Sequence, residues 1–198
     1  MGIENVLIYL TGGILAGILS GYIGIGGGIV FLPFLYLDST MSGQTIVATS
    51  GFAILFTSVS SFFRHHSMEN INWSFYPIFF SGIMGAIIGS NLSSSLPSIL
   101  LKQIITVIII IIAVYSVLLA FSKATRKKIS VGRWLAYLVS FMIGTLSGGI
   151  GISGGVLFVP FLIYFYNFEP HTAVGTTTLM SLGVALFSSI VFIIRGIN

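Results

Sequence analysis

The sequence predicts an all-α polytopic membrane protein: a duplicated four-span unit with a shortened second copy, and glycine-interrupted, discontinuous helices in both copies. Three observations predict it. Of 198 residues, 6% are charged and 56% hydrophobic, with a mean hydropathy of +1.09, whereas a soluble domain carries roughly 25% charged residues. The apolar residues fall in six long runs, each near or above the ~20 residues that a helix needs to cross a bilayer. One of those runs recurs later in the chain. The connectors are too short to hold a domain outside the bilayer, which excludes a peripheral or nucleic-acid-binding role. With no cysteine present, disulfides, thiolate metal sites and thiol nucleophiles drop out.

The first element, residues 6–36, has no basic stretch before it and no small-residue cleavage site within it, and reads as a retained membrane segment, not a signal peptide. Residues 44–63, 74–96 and 99–122 follow as spans and complete the first copy, 1–122. Residues 123–133 form a basic connector with Lys123, Arg126, Lys127, Lys128 and Arg133, cytoplasmic by the positive-inside rule. The second copy, 134–198, holds a long element, 134–166, and one span, 172–194. Four apolar regions therefore stand against two: the last two spans are absent from this sequence, or a second subunit of a homo-oligomer supplies equivalent packing.

Counting spans back from the connector puts Arg64, His65 and His66 on the cytoplasmic side, and Asp38 and Pro97 outside. Trp73 and Trp134 then begin spans at the cytoplasmic interface, where indole rings favour the headgroup level. Lys102 opposes the scheme, but a lysine at a helix start can snorkel. The two long elements decide the orientation of the copies. If each crosses once, the copies are parallel and Arg195 joins Arg64 and the connector inside; if each is a re-entrant hairpin, the copies are inverted and Arg195 is outside. Charge thus predicts parallel copies.

The repeat appears at an offset of 127 residues. Gly17–Leu35 aligns without a gap to Gly144–Leu162, with 13 of 19 positions identical, and Val47-Ala-Thr-Ser50 aligns to Val174-Gly-Thr-Thr177. Each long element carries glycines and then a proline: Gly24, Gly26, Gly27 and Gly28 with Pro33, and Gly151, Gly154 and Gly155 with Pro160. Glycine lets the backbone turn and proline leaves a carbonyl without its donor, so both elements should break. Irregular backbone survives in lipid only where protein buries it or a wet cavity adjoins it. Interrupted segments at corresponding positions of two halves point to a transporter's midplane site.

No Asp, Glu, Lys or Arg falls deep in a predicted span, so an ionic substrate has to be held by backbone groups and hydroxyls. The amides at Gly27/Gly28 and Gly154/Gly155, each opening a second half-helix, suit an anion. Ser153 lies inside the second break, and the following spans add Thr49 and Ser50, Thr176 and Thr177. Small residues in membrane helices also serve close packing, and repetition of the interrupted string is what favours a site. Thr45, Thr49, Thr57 and Ser61 recur at multiples of four residues, as if on one face; that face reads as packing, with Ser181 in the counterpart region. His65 and His66 read as solvated interfacial residues, not a metal pair or proton relay, and His171 as a turn residue. No catalytic set, metal cluster or cofactor motif is visible.

The paired strings Gly21–Pro33 and Gly148–Pro160, followed by Ala48-Thr-Ser50 and Gly175-Thr-Thr177, resemble the TauE/SafE family of prokaryotic membrane proteins. The resemblance implies a duplicated four-span unit in the lipid bilayer of a prokaryotic plasma membrane. It implies transport of a small inorganic or organosulfur anion, such as sulfite or a sulfonate, and the chain departs from the family pattern by lacking the last two spans. Without an intramembrane acid, transport is expected to be uniport or linked to substrate protonation, with no strict need for Na⁺. A channel-like pore filtered by the glycine loops and a non-transporting assembly subunit are the alternatives.

Overall fold

The computed structural model describes residues 3–23, 26–121 and 132–197. They form α1 (Ile3–Ile23), α2 (Gly28–Tyr36), α3 (Gly43–Ser67), a short 3-10 turn (Trp73–Phe75), α4 (Tyr76–Ser95), α5 (Ser98–Phe121), α6 (Arg133–Ile150), α7 (Gly155–Tyr166) and α8 (Pro170–Ile194), with no strand among the described residues. Gly24 and most of the basic connector lie outside the described residues. Both long elements break where their glycines predict. Gly43–Ser67, Pro77–Ser95 and Pro170–Ile194 are long and apolar enough to cross a membrane. Large apolar side chains such as Leu10, Ile14, Phe80, Met84, Ile110 and Ile194 point outward, on a scale that suits lipid and not water.

Contacts fix the direction of each helix. α2 folds back along α1: Ala16 lies against Gly27 and Phe34 against Gly12, and the Tyr9 hydroxyl donates to the Asp38 carboxylate. α3 leaves this Asp38 end and finishes at Arg64, where His66 meets the Trp73 ring edge-on at 5.9 Å. α4 returns, and beyond its last turn the Leu96 carbonyl accepts from Gln44 at 2.6 Å. α5 starts there, with Ser98 Oγ accepting from the Gly43 amide at 2.8 Å. α6 runs parallel to α4, so it starts at the Arg64 end: Gly82 adjoins Gly144, Ala86 adjoins Gly148 and Gly89 adjoins Gly149. α7 comes back to the same end, where Tyr166 packs on Phe75 at 4.9 Å and donates to the Gly132 carbonyl at 3.4 Å. α8 then crosses to the Asp38 end, and Arg195 donates to Asn91 at 2.9 Å.

Both long elements are therefore hairpins that enter from opposite ends, and Arg195 lies opposite Arg64. This corrects the parallel arrangement predicted from charge. The reason is length: α2 and α7, with 9 and 12 residues, extend only about 14 and 18 Å at ~1.5 Å per residue, roughly half of a ~30 Å hydrocarbon core. Arg195 sits at a helix end beside Asn91, a position a cation tolerates on either face. The 127-residue offset also relates element bounds, since α2 and α7 start at Gly28 and Gly155, and α3 and α8 cover Gly43–Ser67 and Pro170–Ile194. α3 and α8 cross antiparallel, with Gly51 opposite Ser188 and Ser189. The related elements are inverted, and α4 and α5 have no counterparts among the described residues.

The most extensive helix contact is α4 on α6, made by small residues that let the backbones close. A Cβ on Gly144 would overlap the Gly82 carbonyl, and one on Gly148 would lie 2.6 Å from the Ala86 carbonyl.

Candidate functional site

The tips of the two hairpins meet. Gly26, at φ +74°, leaves space that a Cβ would take from the Ser153 side chain, and a Cβ on Gly28 would lie 2.9 Å from the Gly151 carbonyl oxygen. Gly151 closes α6 in the left-handed conformation at φ +73°, which costs an L side chain roughly 1–2 kcal/mol. Gly27 and Gly154 are matching N-caps without a side-chain cap. The Gly27 carbonyl accepts from Val30 and Phe31 at 3.1 and 2.9 Å, and the Gly154 carbonyl from Leu157 and Phe158 at 3.3 and 2.9 Å.

α3 and α8 hold the tips from either side. Ser50 Oγ donates to the Gly151 carbonyl at 2.7 Å. Ser153 Oγ donates to Ser181 Oγ at 2.9 Å, and the Gly155 amide, first of α7, donates to Ser181 Oγ at 3.1 Å and to Ser153 Oγ at 3.3 Å. Gly26, Thr57, Ser58, Ser61, Ser153, Thr178 and Ser181 enclose a cavity of about 10 Å³, room for about one water molecule. A second space of about 10 Å³ adjoins it, lined in part by Ser147, Gly151, Ser153, Ser181 and Ser188. Among the described residues, no charged side chain lines either space. The hydroxyls of Ser58 and Ser147, 3% and 2% exposed, have no hydrogen-bond partner. A buried polar group left unpaired costs about 1–3 kcal/mol, so these two donors are free for a guest carrying acceptor oxygens.

Of the residues singled out in the sequence, Gly26, Gly27, Gly28, Ser50, Gly151, Ser153, Gly154 and Gly155 come together at the tips. Three do not. Thr49 is half-buried on α3 and lines neither space; Thr176 Oγ1 accepts from the Asn72 amide at 3.0 Å; and Thr177 Oγ1 donates to the Val174 carbonyl of its own helix at 2.9 Å. The walls are instead Thr57, Ser58, Ser61, Thr178 and Ser181, so the Thr57–Ser61 part of the hydroxyl face read as packing is site wall. The spacing accounts for the miss. Four residues advance a helix by about 40° beyond one turn, so Thr45 and Ser61 differ by about 160°, and the series does not share one face.

A groove of about 390 Å³ runs between α1 and α3, shares Thr57 and Ser61 with the tip cavity, and is lined further by Gly17, Ser20, Phe56, Ser60, Arg64 and His65. His65 is half-buried there, with its Nδ1 buried and without a hydrogen-bond partner, whereas His66 is exposed. At the mouth of the first hairpin, hydrogen bonds from the Thr40 hydroxyl, from Tyr9 and from the Thr40 amide hold the Asp38 carboxyl below the usual carboxylate range.

The family described as "Sulfite exporter TauE/SafE" matches residues 9–197. A probable membrane transporter protein of Haemophilus influenzae is 29% identical, over 96% of this chain and 75% of that protein. The probable membrane transporter protein YunE of Bacillus subtilis is 27% identical over 97% of this chain and 80% of its own length. A third, MJ0441 of Methanocaldococcus jannaschii, is 28% identical over 86% and 67%. No solved structure matches the chain.

Proposed function

The chain belongs to the Sulfite exporter TauE/SafE family and is a membrane transporter, and from that premise we propose that it carries a small oxyanion of sulfur, bound between the two hairpin tips. The observation that carries the site is the meeting of Gly26 with Ser153 among hydroxyls, two of them buried without partners. Hydroxyl and amide donors without a fixed countercharge bind an anion while leaving it free to depart. The family's printed description supports sulfite as the substrate class.

Sulfite is several times larger than a water molecule, so the one-water cavity is a closed state and the tips must part to load it. The inverted hairpins supply a means: rocking one hairpin with its flanking helix against the other opens the tips toward one end or the other, the alternating access of inverted-repeat transporters. The Arg64 end, where Arg133 also begins α6, is the cytoplasmic one by the positive-inside rule. Coupling is by uniport or substrate protonation, since no acid lines the tips among the described residues.

Sulfite flux into proteoliposomes tests the reading. Ser153→Ala combined with Ser181→Ala should lower flux at least tenfold. Flux unchanged in that variant would remove the site, and absence of sulfite flux in the wild type would remove the substrate.

A further inference from the structure

We infer that the two small spaces beside the hairpin tips are the two halves of one route, related by the inverted repeat, and that the half on the Arg64 side grips the oxyanion, so that the carrier binds its substrate more tightly from that end. This rests on the tips being the transport site and adds which side of them holds the anion. The walls of the two spaces are images of each other at the 127-residue offset. Gly26, Thr57, Ser58, Ser61, Thr178 and Ser181 of the first space correspond to Ser153, Val184, Ala185, Ser188, Gly51 and Ile54, and all six of these line the second.

Because α3 and α8 run antiparallel, the spaces lie on opposite sides of the tip contact. The first takes residues 57–61 of α3, toward the Arg64 end, and 178–181 of α8, which leaves from that same end. The second takes 51–54 of α3 and 181–188 of α8, both displaced toward the Asp38 end. Ser153 and Ser181, joined by their 2.9 Å hydrogen bond, line both spaces and stand as the partition between them. A chamber on each side of a central contact is what a carrier with inverted repeats opens in turn.

Chemistry breaks the symmetry. Thr57, Ser58, Thr178 and Ser181 stand where the second half has Val184, Ala185, Gly51 and Ile54, so four hydroxyl positions on the Arg64 side face four with none. Ser58 Oγ is buried without a partner, whereas Ser188 Oγ of the second half donates to the Ala185 carbonyl of its own helix at 3.2 Å. The contrast continues outward. Thr57 and Ser61 also line the groove that holds Ser60, Arg64 and His65, and the images of those three are Phe187, Val191 and Phe192, with Phe192 1% exposed. An anion that leaves water needs donors to replace its hydration, and hydrogen bonds to a charged group are the stronger kind. Hydroxyls, an imidazole and a guanidinium offer them on the Arg64 side; toward the Asp38 end the corresponding side chains are apolar.

Sulfite uptake into vesicles of one orientation tests the inference. Sparse reconstitution of the full chain lets a resin that binds a tag placed after Asn198 separate vesicles with the Asp38 end outward from those with the Arg64 end outward, because α8 finishes at the Asp38 end. The KM for sulfite should be at least tenfold lower from the Arg64 end. Thr57→Val combined with Ser58→Ala, which gives the first half the side chains of the second, should raise that KM toward the value from the Asp38 end. Val184→Thr combined with Ala185→Ser, the reverse exchange, should lower the KM from the Asp38 end. The first exchange should leave the unfolding midpoint near that of the wild type, since Ser58 Oγ has no partner to lose and Thr57 Oγ1 bonds the Ile54 carbonyl of its own helix. Equal KM values from the two ends, or an asymmetry that neither exchange alters, would overturn the inference and leave the transport reading standing. Absence of sulfite flux from either end would remove both.

Discussion

One repeated string builds both hairpins, yet the two stand in different surroundings. The α6–α7 hairpin is held by α4 along Gly144 and Gly148, by α8 through Ser181 and by α3 through Ser50. The α1–α2 hairpin closes on itself through Ala16 on Gly27, Phe34 on Gly12 and Tyr9 on Asp38, α2 shares one hydrophobic core with α3 and α5, and the outer face of α1 at Gly13 and Gly17 is uncovered among the described residues. The string specifies a turn and a small-residue face. What that face contributes to stability is decided by the helix laid against it, since association in lipid rests on close packing and has no hydrophobic drive of its own.

The largest expected effect comes from placing the same side chain at the same repeat position in each hairpin. Gly144→Leu forces α4 and α6 apart where a Cβ would already overlap the Gly82 carbonyl, a core overpacking of the severe class, more than about 4 kcal/mol. Gly17→Leu meets open space and should stay within about 0.5 kcal/mol, as a surface change does. Thermal unfolding in mild detergent reads both. Equal losses at the two positions would mean that the face of α1 is covered within the chain itself, and the contrast between the hairpins would be gone.

The breaks, the membrane class and the meeting of glycine-rich segments were legible in the sequence because each depends on local composition and spacing. Gly26 and Gly151 announce turns wherever they stand. The direction of the hairpins was not legible, because it rested on Arg195, whose side chain answers to Asn91, a residue 104 positions away. Nor were the walls of the site. Thr57, Ser61 and Ser181 face the tips only because α3 and α8 cross antiparallel in one register, a tertiary property that no single helical period contains. Thr176 shows the converse: a hydroxyl in the right repeat position is used to bind the Asn72 amide.

A middle-sized effect separates the two repeat-equivalent hydroxyls beside the tips. Ser50 Oγ reaches across to the Gly151 carbonyl at 2.7 Å, while Thr177 Oγ1 turns back to Val174 in its own helix at 2.9 Å. Ser50→Ala strips a buried carbonyl of a donor and should cost about 1–3 kcal/mol. Thr177→Ala removes a bond within one helix whose carbonyl keeps its helical role, and should cost less than about 1 kcal/mol. Unfolding midpoints compared side by side check the order, and a reversed order would show that the second tip is not tethered through α3.

The smallest effect lies at the mouths of the hairpins, where the first is closed by a charge and the second by a turn. Asp38 accepts from Thr40 and Tyr9, and its folded carboxyl is held below the usual range. Its contribution is therefore complete above the unfolded carboxylate value of about 4 and is lost as pH falls through the folded value. Asn167 closes the second mouth at φ +55°, its amide donating to the Leu162 carbonyl, with no proton to gain or lose. Asp38→Asn should lower the unfolding midpoint at pH 7, and the gap to the wild type should begin to narrow once pH falls below the unfolded carboxylate value of about 4. The loss from Asn167→Ala, by contrast, should be the same above and below that value. A gap at Asp38 that stays constant with pH would mean that the side chain acts through shape, as Asn167 does, and that the two mouths are closed alike.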